Sequence, residues 1–125
     1  MIIRVRDEST VVDWGNGLSY RLLVASDRMG FALTETVVRA GTKSALEYRN
    51  HLEACYCIAG GGEVASADGH TTARLTPGVL YALNEHDPHY LIADPGQDLH
   101  LISVFNPPIV GGERHTLSED GFSTY

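Results

Sequence analysis

Clustered positive charge is missing from this chain. Nine Lys and Arg residues stand against sixteen Asp and Glu, for a formal charge of −7, and no Lys/Arg run occurs. A surface of that sign repels a phosphate backbone, so nucleic acid is excluded as an expected partner and solubility is the plain meaning of the acidity. Long hydrophobic runs are missing too. Although 43% of the residues are hydrophobic, no stretch approaches the ~18 apolar residues that a membrane span requires, and no membrane association is expected. The opening Met1-Ile2-Ile3-Arg4-Val5-Arg6-Asp7-Glu8 alternates charge with apolar residues and lacks the apolar centre of a secretory leader. The expected compartment is the cytoplasm. Cysteine is scarce: Cys55 and Cys57 lie one residue apart, on one face if the segment is a strand. Such close neighbours make a poor disulfide framework, and two thiols alone do not make a zinc site. Buried, reduced thiols are expected.

Helical periodicity is hard to find, and alternation takes its place. Tyr20–Val24 and Phe31–Val38 read as strands around the turn-rich Ser26-Asp27-Arg28-Met29-Gly30. Glu53–Ala59 follows, ended by Gly60-Gly61-Gly62. Glu63–Ala67 and Thr71–Leu75 flank Asp68-Gly69-His70, a hairpin signal. Val79–Leu83, Tyr90–Ala93 and Leu99–Phe105 are each bounded by Pro, Gly, Asn or Asp. Eight or nine short strands at this spacing predict an all-β sandwich or barrel. The length of 125 residues fits a single domain, 1–125, with an irregular tail from about 107.

Spacing carries the chemistry. Gly41, then Glu47-Tyr48-Arg49, then Glu53 and Gly60 follow the spacing of the first cupin motif, in which two histidines one residue apart precede a glutamate. The histidine positions hold Glu47 and Arg49, while the glutamate is kept as Glu53. Pro77-Gly78-Val79-Leu80-Tyr81 resembles the second motif, with Tyr81 in its histidine's place. A cupin without these histidines can be a cupin without metal. Two details speak for a cation. Glu53 opens an apolar strand, where a carboxylate is costly unless paired or metal-bound. His89 lies eight residues after Tyr81, in a His86-Asp87-Pro88-His89 turn that can fold back to the same mouth. Glu53, Tyr81 and His89 would offer two oxygens and a nitrogen, a set suited to iron or another first-row divalent metal.

The local strings name a family. His51-Leu52-Glu53-Ala54-Cys55-Tyr56-Cys57-Ile58 resembles the His-Leu-Glu-Ala-Val-Tyr-Cys-Val/Ile segment of ectoine synthases. Met29-Gly30-Phe31, Ala40-Gly41-Thr42, Tyr81-Ala82-Leu83, His86-Asp87, His89 and Val104-Phe105-Asn106-Pro107-Pro108 resemble the same enzymes. The resemblance runs from about Arg21 to His115. It implies a small cupin, a double-sheet jelly-roll barrel that forms a head-to-tail homodimer and binds Fe(2+) through Glu53, Tyr81 and His89. The implied reaction closes N-γ-acetyl-L-2,4-diaminobutyrate to ectoine, a compatible solute, with loss of water. Substrate-side residues carry over to Arg21, Thr36, Phe105, Glu113 and His115.

Physical roles can be set beside that resemblance. Cyclisation needs a free α-amine, a polarised amide carbonyl and a route for water to leave. His115 or Glu113 could deprotonate the amine, Tyr81 stands with the metal, and Arg21 can grip the substrate carboxylate bidentately. Each has a plainer reading: Arg21 as an edge charge, Phe105 as core, Glu113 and His115 as a solvated tail. His51 and His86 read as surface or flanking residues, and His70 and His100 have no argued function. Three positions depart from the family on the substrate side. Its active-site Trp aligns with Gly17, while the only Trp here is Trp14, which a loop shift could deliver to the pocket. A usual Asn appears as Thr34 and a Cys as Ser103. Three readings stay open: ectoine synthase, a related metal-dependent cyclase acting on another acylated diamino acid or amide, and a non-catalytic cupin that binds a small ligand.

Overall fold

Alternating burial along each strand builds the architecture. In the computed structural model, which describes residues 1–115 and 121–124, β5 (Leu52–Ala59) buries Glu53, Cys55 and Cys57 and turns Leu52, Tyr56 and Ile58 outward. β10 (Leu99–Asn106) likewise buries Leu99, Leu101, Ser103 and Phe105. This period of two is what a pleated strand with one covered face requires. Both cysteines are free and buried on one face.

Two sheets result. The larger has the spatial order β1 (Thr10–Asp13), β2 (Gly17–Leu23), β3 (Ala32–Val38), β10, β5 and β8 (Leu80–Leu83), all antiparallel. The smaller runs β11 (Ser123–Thr124), β4 (Lys43–Glu47), β9 (His89–Ala93), β6 (Gly62–Ser66) and β7 (Thr72–Leu75), with only the β11–β4 pair parallel. Side chains of both sheets meet between them. Cys57, Leu99 and Leu101 pack with Leu46, Val64, Leu75 and Leu91. Leu75, Leu99 and Leu101 are wholly buried, each contributing roughly 1.5–3 kcal/mol relative to an exposed side chain. A second cluster of Ala32, Tyr48, Leu83, Phe105 and Ile109 fills one end, and Tyr81 packs against both.

This is the all-β, double-sheet cupin barrel expected from the sequence. The eight expected strands are present with ends shifted by up to three residues. The structure adds β1, β4 and β11. β4 carries Lys, Ala, Leu and Glu and no β-branched residue, so its own propensity does not announce a strand; pairing with β9 makes it one. The tail is not irregular throughout, because Ser123 and Thr124 pair with Leu46 and Glu47; residues 116–120 lie outside the described residues. Among the described residues, no helix is long and apolar enough to cross a membrane.

Candidate active site and cation centre

One rung of the larger sheet carries polar side chains across the barrel. Arg21 on β2 faces Thr34 on β3, Thr34 faces Ser103 on β10, Ser103 faces Cys55 on β5, and Cys55 faces Tyr81 on β8. Toward one end, Glu53 pairs in register with Phe105. A register shift between Arg21 and Leu23 puts a bulge directly after Arg21, a device that re-aims a neighbouring side chain. A cavity lies above these strands, with about 420 Å³ of space between its walls, open solvent included. Trp14, Arg21, Thr36, Glu53, Tyr81, Phe105 and His115 all line it, so seven of the sequence-derived candidates converge.

Two do not reach its wall. His89 starts β9 in the facing sheet and packs against Tyr48 and Tyr81, with ring centroids 6.3 Å from each. The Glu113 carboxylate is turned to its own loop, where it accepts the amides of Val110 and Gly111 at 2.8 Å each. Its backbone carbonyl, instead, accepts from Arg21 Nη2 at 2.6 Å.

The donor set proposed for a cation passes a chemical test. Glu53 is 6% exposed, and burial pushes its carboxyl up to about 8, against a lesser pull downward from Cys55. Burial also drives the Tyr81 hydroxyl well above its ordinary range, reinforced by Cys55 and Glu53. His89 is 1% exposed; its Nδ1 lies 2.9 Å from the Asp87 carbonyl and, facing an acceptor, carries the hydrogen. The lone pair is therefore on Nε2, a buried atom with no hydrogen-bond partner among the described residues. An imidazole whose far nitrogen donates to a carbonyl is oriented and made more basic for metal binding. Among the described residues no three His, Cys, Asp or Glu side chains gather closely enough to hold a metal; the set Glu53, Tyr81 and His89 includes a phenol. These residues fit a divalent first-row cation.

The opposite end of the rung holds a buried guanidinium. Arg21 is 4% exposed; Nε donates to Ser19 Oγ at 2.8 Å and Nη2 to the Glu113 carbonyl, while Nη1 has no partner among the described residues. No carboxylate there lies within ion-pair distance of it. A buried guanidinium with no carboxylate in ion-pair contact is costly, although the Glu113 carboxylate acts on it from farther off. Trp14 Nε1 is a second buried donor left open. The hairpin tip delivers this side chain: the Trp14 amide bonds the Gly17 carbonyl at 3.1 Å, and Gly15 at φ 107° donates to Asp13. A Cβ at Gly17 would sit on the Val37 carbonyl oxygen and 3.0 Å from the Trp14 ring. The position that aligns with the family's Trp therefore admits no side chain here.

His115 is buried, its Nδ1 2.9 Å from Ser123 Oγ, and burial lowers its pKa to about 3. It is neutral at pH 7. For Glu113, burial pushes the carboxyl up, but the two amides and Arg21 outweigh it and the net direction is down. Tyr48 was missed by sequence reasoning. It is 6% exposed, lines the cavity and packs against His115, Phe105 and His89. The available signal was its place between Glu47 and Arg49, which bond each other at 3.1 Å with Arg49 in solvent.

Comparison with known proteins places this arrangement. The family model described as ectoine synthase matches residues 1–124. The chain is 46% identical over 101 residues to an L-ectoine synthase of Wolinella succinogenes, covering 81% of this chain and 76% of that protein. It is 42% identical over 114 residues to an L-ectoine synthase of Bordetella avium, covering 91% and 83%. The crystal structure of ectoine synthase from P. lautus superposes with a TM-score of 0.83 at 41% identity, covering 89% of this chain and 81% of the other.

Proposed function

Because this chain belongs to the ectoine synthase family, we propose that it closes N-γ-acetyl-L-2,4-diaminobutyrate to the cyclic amidine ectoine with loss of one water, a hydro-lyase reaction. The observation that carries the reading is a cavity with a buried guanidinium, its Nη1 without a partner among the described residues, at one end and a buried carboxyl–phenol pair at the other. A substrate with a free carboxylate and an acylated amine presents complementary groups to both.

Glu53, Tyr81 and His89 would hold the cation, a ferrous ion or another first-row divalent metal. When bound, it supplies Lewis acidity toward an amide oxygen. The chain's own residues do the rest. Arg21 holds the substrate carboxylate through Nη1, with Thr36 and the Trp14 Nε1–H beside it, so the α-amine is presented to the carbon it attacks. That amine has a reference pKa of about 7.7–8; the His115 imidazole, held near 3 by burial, is too weak a base to take its proton and acts instead as a neutral hydrogen-bonding group beside it. Glu113 acts at one remove, by fixing the loop whose carbonyl anchors Arg21. Phe105 and Tyr48 close the cavity with rings and exclude water, which favours dehydration over hydrolysis. The working unit is a homodimer in the cytoplasm; the outward apolar Tyr56, Ile58 and Leu80 of β5 and β8 supply surface for the contact.

The test is turnover of N-γ-acetyl-L-2,4-diaminobutyrate by anoxically purified protein carrying ferrous iron, with ectoine followed by chromatography. Ectoine formation that disappears on chelation and returns with iron is expected. Protein holding one iron per chain that makes no ectoine would overturn the assignment.

A further inference from the structure

Cys55 and Ser103 face each other across β5 and β10, and the reaction described above uses neither. Both are 1% exposed, and their side chains touch, Cys55 Sγ to Ser103 Oγ at 3.4 Å. Neither contact ends there. Ser103 Oγ is also 3.0 Å from Thr36 Oγ1, which lies 3.4 Å from Thr34 Oγ1. Cys55 in turn stands directly opposite Tyr81 across β5 and β8, two residues along the same buried face from Glu53, and all three line the cavity. A hydrogen-bonded chain therefore runs from Thr36 through Ser103 to Cys55, which stands beside Tyr81 and Glu53. A hydroxyl donates once and accepts twice, and a thiol does both weakly, so every link can be satisfied only in a few correlated orientations.

We propose that Ser103 and Cys55 are a coupled pair of positioning residues that link substrate held at Thr36 to the geometry of Glu53 and Tyr81. This rests on the functional reading above. Members of one hydrogen-bonded network act non-additively. Losing either link should disconnect the chain as fully as losing both.

The experiment is a double-mutant cycle on the whole chain, metal-free for iron titration and iron-loaded for kinetics, with Ser103→Ala, Cys55→Val and the pair, together with the exchange Cys55→Ser/Ser103→Cys. Two quantities are read: ferrous-iron affinity by anoxic calorimetric titration without substrate, and kcat separately from KM. Each single variant should lose about five- to tenfold in kcat and in iron affinity, with KM changed less than twofold. The double variant should be no worse than either single, and the exchange variant should recover most of the loss. Purely multiplicative losses, or single variants with unchanged kcat and iron affinity, would overturn the coupling. A fold defect in Ser103→Ala leaves the exchange variant and Ser103→Cys to decide it, since both keep a polar atom at each position; loss of activity in the exchange variant with intact folding counts against the proposal. Failure of the wild-type enzyme to produce ectoine would strike the functional reading, which these ratios do not.

Discussion

Glu53→Gln should stabilise the metal-free protein while destroying its cation site. The carboxyl is 6% exposed and burial holds it at about 8, against 4.5 for an unburied glutamate. A carboxyl whose folded pKa lies above its unfolded value adds most to stability below 4.5, and that contribution is lost as pH rises toward 8. At pH 7, 2.5 pH units of this loss have accrued, about 3 kcal/mol at 1.36 kcal/mol per unit. Glutamine has the same shape and no charge to bury. The variant should therefore exceed wild type by about 3 kcal/mol at pH 7 and match it at pH 4, in metal-free protein unfolded by urea. For a domain of this size that corresponds to a rise in Tm on the order of 10 °C. Ferrous iron should raise the wild-type Tm and leave the variant where it is. A metal-free Glu53→Gln protein less stable than wild type at pH 7, or a gain that persists at pH 4, would refute the reasoning.

Arg21→Met should raise KM by about 10- to 100-fold through loss of a charge-assisted contact to the substrate carboxylate. Its urea midpoint should fall as well, because Ser19 Oγ and the Glu113 carbonyl lose their donor; unchanged KM would argue against an anion site. Gly17→Ala should cost at least about 2 kcal/mol, since the added carbon meets the Val37 carbonyl, with tryptophan fluorescence shifting as Trp14 is displaced; an unperturbed spectrum and midpoint would contradict the packing described. His115 should remain neutral from pH 8 to pH 5, its pKa being held near 3 by burial. The stability it contributes is present above 6.5 and is lost as pH falls toward 3. Imidazole NMR shifts that titrate near 6.5 would show His115 to be exposed instead.

The strands that were legible in the sequence are those whose inward residues alternate with outward ones, as in β5 and β10. β4 was not, because Lys43–Glu47 lacks strand formers and its state is decided by β9 across the barrel. The candidate site divides on the same physical line. Glu53 could be picked out because a carboxylate in an apolar strand demands a partner. Arg21, Thr36, Phe105 and His115 had no such local signature, and only the likeness to a family set them apart from edge, core and tail residues. Trp14 depended on a hairpin tip, and Gly17 on a backbone approach from Val37 that no pattern of residue types encodes. Glu113 illustrates the limit most clearly: its side chain caps a loop while its backbone carries the contact to Arg21.

The claim that the rest depends on is that Glu53, Tyr81 and His89 jointly hold one cation at the cavity. Anomalous diffraction at the iron edge, from crystals grown anoxically with ferrous iron, tests it directly. The account predicts a single peak within bonding distance of the Glu53 carboxylate, the Tyr81 oxygen and His89 Nε2. A peak at other residues, or a fully active crystalline enzyme with no peak at these three, would contradict it.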